Sequence, residues 1–133
     1  MSDLQTLARG WFRKAESDLH TLRLVVASNG PYDTACYHAQ QAVEKYLKGF
    51  LIIREQPFPY THDLEELERL CQRIESLPEL DVLDLVELTD YAVGMRYDFE
   101  QWPTREEAAQ AMQTAEQVRA VILARVAVEA HPS

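Results

Sequence analysis

Five polar side chains fall on one side of a single helical stretch. With His38 at zero and about 100° of advance per residue, Gln41 lies near about 300°, Lys45 about 340°, Lys48 about 280° and Glu44 about 240°. They share one third of the circumference, opposite an apolar arc of Ala35, Ala39, Ala42, Val43, Tyr46 and Phe50. Two ammonium groups, an imidazole and an amide on one strip can hold an anion such as a phosphate. The competing reading is an ordinary solvated face, in which Glu44 and Lys48 form an i,i+4 ion pair. Downstream, Arg96-Tyr97 combines a cation with a ring and can bind phosphate and base by charge and stacking. His62-Asp63-Leu64-Glu65 offers a few metal-ligating groups at a helix start, but no second histidine cluster completes a shell. Asp63 and Glu65 there equally suit the positive end of a helix dipole. The four glycines are scattered, so no phosphate-cradling loop exists, and no Ser/His/Asp or Cys/His set assembles from spacing alone.

Charge places these groups in context. The 133 residues carry a net charge of -9. Residues 1–56 hold seven Lys/Arg and six Asp/Glu, whereas residues 57–133 hold six and sixteen. Whole-surface attraction to nucleic acid is therefore not expected, and DNA is not an expected partner. An anion site must be local and lie in the first half, where Lys45 and Lys48 are. No apolar run reaches the ~18 residues a membrane span needs, and Met1–Arg13 does not read as a secretory signal. With only Cys36 and Cys71, both inside helical patterns, reduced thiols and a cytoplasmic protein are expected; a disulfide between them stays open.

The elements that must position these residues are helices. Leu4, Leu7, Ala8, Trp11, Phe12, Ala15, Leu19, Leu22 and Val26 recur at steps of three and four, predicting a helix over 3–27 capped by Ser2 or Asp3. Ser28-Asn29-Gly30-Pro31 breaks it. A second helix runs from Tyr32 or Asp33 to about Arg54, and Gln56-Pro57-Phe58-Pro59 stops it. A third, shorter helix starts at Thr61 and closes at Leu77-Pro78, and a fourth spans 79–95. Residues 96–103 read as a loop. Thr104 with Glu107 is a capping box that opens a last long helix through Val126, and the tail 127–133 is expected to fray. The fold class is all-α, an up-and-down bundle in one domain over 1–133, with a core of about 3–127.

Several strings occur in a fixed order. They are Trp11 with Ala15-Glu16-Ser17-Asp18-Leu19, then Tyr37-His38-Ala39-Gln40-Gln41-Ala42-Val43-Glu44-Lys45-Tyr46-Leu47-Lys48, then Thr61-His62-Asp63-Leu64. Tyr91-Ala92-Val93 with Arg96-Tyr97 follows, and Pro103-Thr104 with Glu107-Ala108 comes last. Over about residues 8–125 the chain resembles the HEPN domain family. That resemblance implies four long helices with one shorter helix, a homodimer, and a minimal nucleotidyltransferase as partner, often in a toxin–antitoxin pair. Many members are metal-independent ribonucleases with an Arg-x(4–6)-His motif near the start of the last long helix. The matching arginine here is Arg96, and Tyr97-Asp98-Phe99-Glu100-Gln101-Trp102 follows without a histidine. Arg13 with His20 and Arg125 with His131 have the spacing, but ten arginines and four histidines yield about one such match by chance.

The leading expectation is a non-catalytic interaction module that needs no cofactor. It would bind a nucleotidyltransferase partner, and a nucleotide or RNA, through His38, Gln41, Lys45, Lys48, His62, Arg96 and Tyr97. A ribonuclease toxin and a nucleotide-binding regulator are the alternatives. A homodimer is expected from the aromatic residues of 91–102 and from the Ala/Gly-rich second helix, whose small residues admit a close neighbour from this chain or a second subunit. Lys48→Ala and Arg96→Ala are expected to weaken binding about tenfold with little effect on melting.

Overall fold

Helix N-termini leave backbone N–H groups without partners, and side chains at the caps satisfy them here. A computed structural model describes all residues except 93, 95–97 and 133. Helix α1 (Asp3–Ala27) starts at a capping box in which the Ser2 hydroxyl accepts from the Gln5 N–H and the Gln5 side chain accepts from the Ser2 N–H. Helix α2 (Tyr32–Ile53) follows the Gly30-Pro31 break. Its C-terminus is a Schellman turn: the Gln56 N–H reaches the Leu51 carbonyl at 2.9 Å and the Glu55 N–H reaches Ile52 at 3.0 Å. Glu55 therefore takes φ = 58°, so α2 ends before the prolines expected to stop it.

Helix α3 (Leu64–Ile74) begins three residues later than the sequence predicts. The Thr61 hydroxyl takes the Asp63 N–H, and the Asp63 carboxylate takes the N–H groups of Glu65 and Glu66, which makes Asp63 the cap. Over the described residues of 79–95 the predicted fourth helix gives way to a 3-10 turn, Pro78–Leu80, and a six-residue α4 (Leu85–Asp90), and residues 93 and 95 lie outside the described residues. Asp84 breaks the predicted helix from within, and Gln72 fixes the turn that precedes it. Gln72 clamps both the N–H and the carbonyl of Leu77, and Asp84 captures the Glu87 N–H. Helix α5 (Arg105–Leu123) opens at the predicted Thr104–Glu107 box.

The tail is the other correction. Residues 127–132 are packed, not frayed: Val128–Ala130 forms a 3-10 turn with Ala130 fully buried. His131 Nε2 donates to the carbonyls of Leu123 and Val126, and Arg13 Nε donates to the Pro132 carbonyl.

The result is an all-α bundle of four longer helices and the short α4, with no strand among the described residues. The core lies between α1, α2 and α5, where Phe12, Leu19, Leu22, Tyr46, Leu47, Phe50 and Val118 are fully buried. Helix α1 lies so close to α2 that a Cβ at Gly49 would stand 2.5 Å from the Phe12 ring, which also stacks on Tyr46. The small residues of α2 thus receive α1 of the same chain. The first turns of α1 extend past the core, leaving Leu4 and Leu7 exposed although their spacing continues the stripe.

Candidate functional site

The polar strip of α2 divides into two clusters. The first is built on Asp18, which α1 places opposite α2. One carboxylate oxygen lies 2.8 Å from His38 Nδ1, and the other accepts from Lys45 Nζ. The His38 and Lys45 side chains keep about a quarter of their surface (26% and 22%), whereas Asp18 keeps 11%. The acid is therefore the buried partner and the two nitrogen groups form the rim. Asp18 holds the imidazole by Nδ1, leaving Nε2 as the nitrogen open to a ligand. Gln41, half-buried, donates from Nε2 to Gln40 Oε1 at 2.7 Å and links this cluster to the next.

The second cluster is built on Glu44. Lys48 Nζ donates to one oxygen at 3.0 Å, while Gln40 Nε2 donates to the other at 3.1 Å. His62 Nδ1 lies 2.8 Å from that second oxygen. Gln40 also donates to the His62 carbonyl at 3.0 Å, which ties the segment between α2 and α3 down onto α2. Phe58 and Tyr60 of that segment and Trp11 of α1 stand around the ammonium, each ring centroid 5.7–5.8 Å from Lys48 Nζ. Lys48 is thereby only 4% exposed. An ammonium set between a carboxylate and the rings of Trp11 and Phe58, with the largely exposed Tyr60 beside it, is satisfied by charge and by cation–π attraction. It is not a solvent-facing anion contact, and its loss, expected from the sequence to leave melting nearly unchanged, instead unpairs a buried carboxylate. His62, with 40% of its side chain exposed and set edge-on against Tyr60, is the part of this cluster that meets solvent.

On the other side of α1, Glu16 joins three helices. It accepts from the Tyr46 hydroxyl of α2 and from Arg119 Nε and Nη2 of α5, at 2.7 and 3.1 Å. Burial alone would raise its carboxyl. The hydrogen bonds from Arg119 and Tyr46, with the charges of Arg119 and Arg23, outweigh that and hold it below the usual range. Burial and the hydrogen bond to Glu16 push the Tyr46 phenol up, so it stays a donor.

The remaining predicted groups are placed as follows. Arg96 and Tyr97 lie outside the described residues. Asp63 caps α3 and His62 faces Glu44, and no group of three metal-ligating side chains converges among the described residues. Cys36 and Cys71 are free, fully buried thiols, each pushed up to about 12 by burial. Such thiols do not ionise near neutrality and are poor nucleophiles. No described helix is long and apolar enough to cross a membrane.

Sequence reasoning named the rim and missed the centre. Asp18, which holds two of the candidates, and Trp11, beside a third, belong to the first string of the family resemblance, but neither is paired with the strip by sequence alone. They are seven residues apart, two helical turns, and so share a face. That face is the one turned to the strip, which is the signal that could have paired them.

Comparison with known proteins yields one match. The family model of the HEPN domain covers residues 8–126. No curated protein and no solved structure gives a match.

Proposed function

The chain belongs to the HEPN domain family, and we propose that within it the protein acts as an interaction module and not as a nuclease. The observation that carries this reading is the fate of its arginine–histidine pairs. Arg96 has no histidine at the required spacing. Arg125 is ion-paired with Glu75 and Glu79, while His131 turns its Nε2 to carbonyls at the end of α5. Arg13, the arginine of the third pair, donates to the Pro132 carbonyl. These groups hold the C-terminal segment to the bundle.

The module would associate with a second copy and with a minimal nucleotidyltransferase. Phe99 and Trp102, 84% and 67% exposed beside the start of α5, support a protein contact at that end. An anion, nucleotide or RNA phosphate would meet Lys45, His38 and Gln41 at the open cluster. Co-purification with the product of the adjacent gene tests the partner. Light scattering tests the dimer: a mass that stays at 15.3 kDa into the tens of micromolar speaks against it.

One observation favours the ribonuclease alternative. Asp18 orients the His38 ring, and a carboxylate-held imidazole is a competent proton-transfer group. The expected outcome of incubating the protein with RNA, without added metal, is intact RNA. Cleavage that His38→Ala abolishes would replace the first reading with the second.

A further inference from the structure

A glycine inside a helix costs conformational entropy, and a close neighbour is one reason to keep it. Helices α1 and α2 each hold one. At Gly49 of α2 the neighbour belongs to the chain, since a Cβ there would stand 2.5 Å from the Phe12 ring. At Gly10 of α1 a Cβ would meet nothing within 4 Å. No described part of the chain uses that space.

Gly10 lies on an exposed seam. Asp3, Leu7, Gly10 and Lys14 follow one another at steps of four, three and four, which sets them within about 60° on α1. Alternating steps of this kind are those of a seam between two helices. The seam lies about 140° round the helix from the buried stripe of Ala8, Phe12 and Ala15. All four residues are exposed, and Leu7 keeps 53% of its surface. The side chains of Asp3 and Lys14 enter no ion pair or hydrogen bond among the described residues. About 16 Å of helix separates them, so they cannot pair within one copy. Arg23 and Lys45, by contrast, are paired within the chain with Glu116 and Asp18.

We infer that this seam is the interface between two copies of the chain, their α1 helices antiparallel. A two-fold axis at the height between Ala8 and Arg9 sets Leu7 of each copy over Gly10 of the other and Asp3 opposite Lys14. The leucine fills the space left by the missing Cβ, and an ion pair flanks the contact on either side. A wholly basic partner would meet Lys14 and a wholly acidic one Asp3, whereas an antiparallel second copy matches both. The pattern is self-complementary, so the contact closes at two copies. Helices α1 and α5 run antiparallel, with Arg23 at Glu116 and Arg13 at the Pro132 carbonyl. The seam is therefore at the opposite end of the bundle from Phe99 and Trp102, which stay open to another partner. The inference rests on the proposed association with a second copy and assigns its surface.

Sedimentation equilibrium of the full chain tests it. The expected mass at about 100 micromolar is twice 15.3 kDa, since a contact of about three helical turns gives a micromolar dimer. Lys14→Glu brings two acids together and should weaken the dimer at least tenfold. Adding Asp3→Lys exchanges the charges and should restore it to within about threefold. Gly10→Gln should weaken the dimer at least tenfold, while the melting temperature of the dilute monomer holds or rises, because glutamine is the better helix former. Leu24→Gln, exposed on α1 beyond the seam, should leave the dimer unchanged. A monomer at every concentration overturns both the inference and the association on which it rests. A dimer indifferent to Lys14→Glu and to Gly10→Gln overturns the inference alone and assigns the association to another face.

Discussion

The two clusters along α2 differ in what covers them. Both have a carboxylate that receives a lysine and a histidine. Asp18 comes from another helix and leaves His38 and Lys45 at a rim. Glu44 comes from α2 itself, and its lysine is buried beside Trp11 and Phe58. The same residue types thus stand open to solvent at a rim in one place and are packed into the fold in the other. Coverage decides which, because a charge out of water must be paired locally, whereas a charge at a rim still attracts ions from solution.

Mutating the enclosed cluster should have the largest effect. Glu44→Ala leaves the Lys48 ammonium buried without a carboxylate and should cost about 3–5 kcal/mol. Lys48→Ala should also lower stability, by about 2–3 kcal/mol, as it unpairs Glu44 and empties the ring enclosure. Denaturant titration measures both; a change below about 0.5 kcal/mol for either would show that the cluster is open to water.

Gly49→Ala tests the close approach of α1 that forms both clusters. The new methyl meets a packed aromatic ring, so a loss of about 1–3 kcal/mol is expected despite better helix propensity. A gain in melting temperature would mean that the helices sit farther apart.

Glu16 supplies a pH test outside the strip. Its carboxyl is held below the ordinary range, so its stabilisation is present above the unfolded value near about 4.3 and is lost as pH falls through the lower folded value. Glu16→Gln should cost about 1–2 kcal/mol at pH 7, a modest figure because the group is partly solvated. It should also flatten the acid side of the melting-temperature profile. An unchanged acid slope would assign acid sensitivity to other carboxylates.

At the rim, Lys45→Ala should change stability by no more than about 1 kcal/mol, since Asp18 retains His38. It should weaken anion or partner binding about tenfold, read by calorimetry or co-purification. A stability loss as large as that of Glu44→Ala would make the two clusters equivalent. The smallest effect expected is a gain. Glu55→Gly relieves a left-handed backbone at the end of α2 and should add about 0.5–1 kcal/mol, seen as a slightly higher melting temperature.

Much of this architecture was legible in the chain. The Ser2 and Thr104 caps are local signals, since a side chain and an N–H three residues away need no tertiary partner, and both occur where the sequence puts them. The period of the apolar residues likewise defines α1, α2 and α5. Local competition defeated the prediction over 79–95, where the Asp84 carboxylate took the Glu87 N–H that a continuous helix would need. The tail was misjudged for a related reason: the contacts that order it, from Arg13 and to the end of α5, cross most of the chain.

The sequence by itself determined an all-helical bundle of the HEPN family, a polar strip on its second helix, and an arginine without its histidine. The helices and the strip are matters of spacing along one element, whereas the family likeness rests on strings ordered along nearly the whole chain. Only the tertiary structure decided which polar groups are sealed, because burial depends on what the other helices lay over them. Lys45 and Lys48 stand three residues apart on one face. Asp18 holds the first at a rim, and the second is buried against Glu44 with the rings of Trp11 and Phe58 beside it.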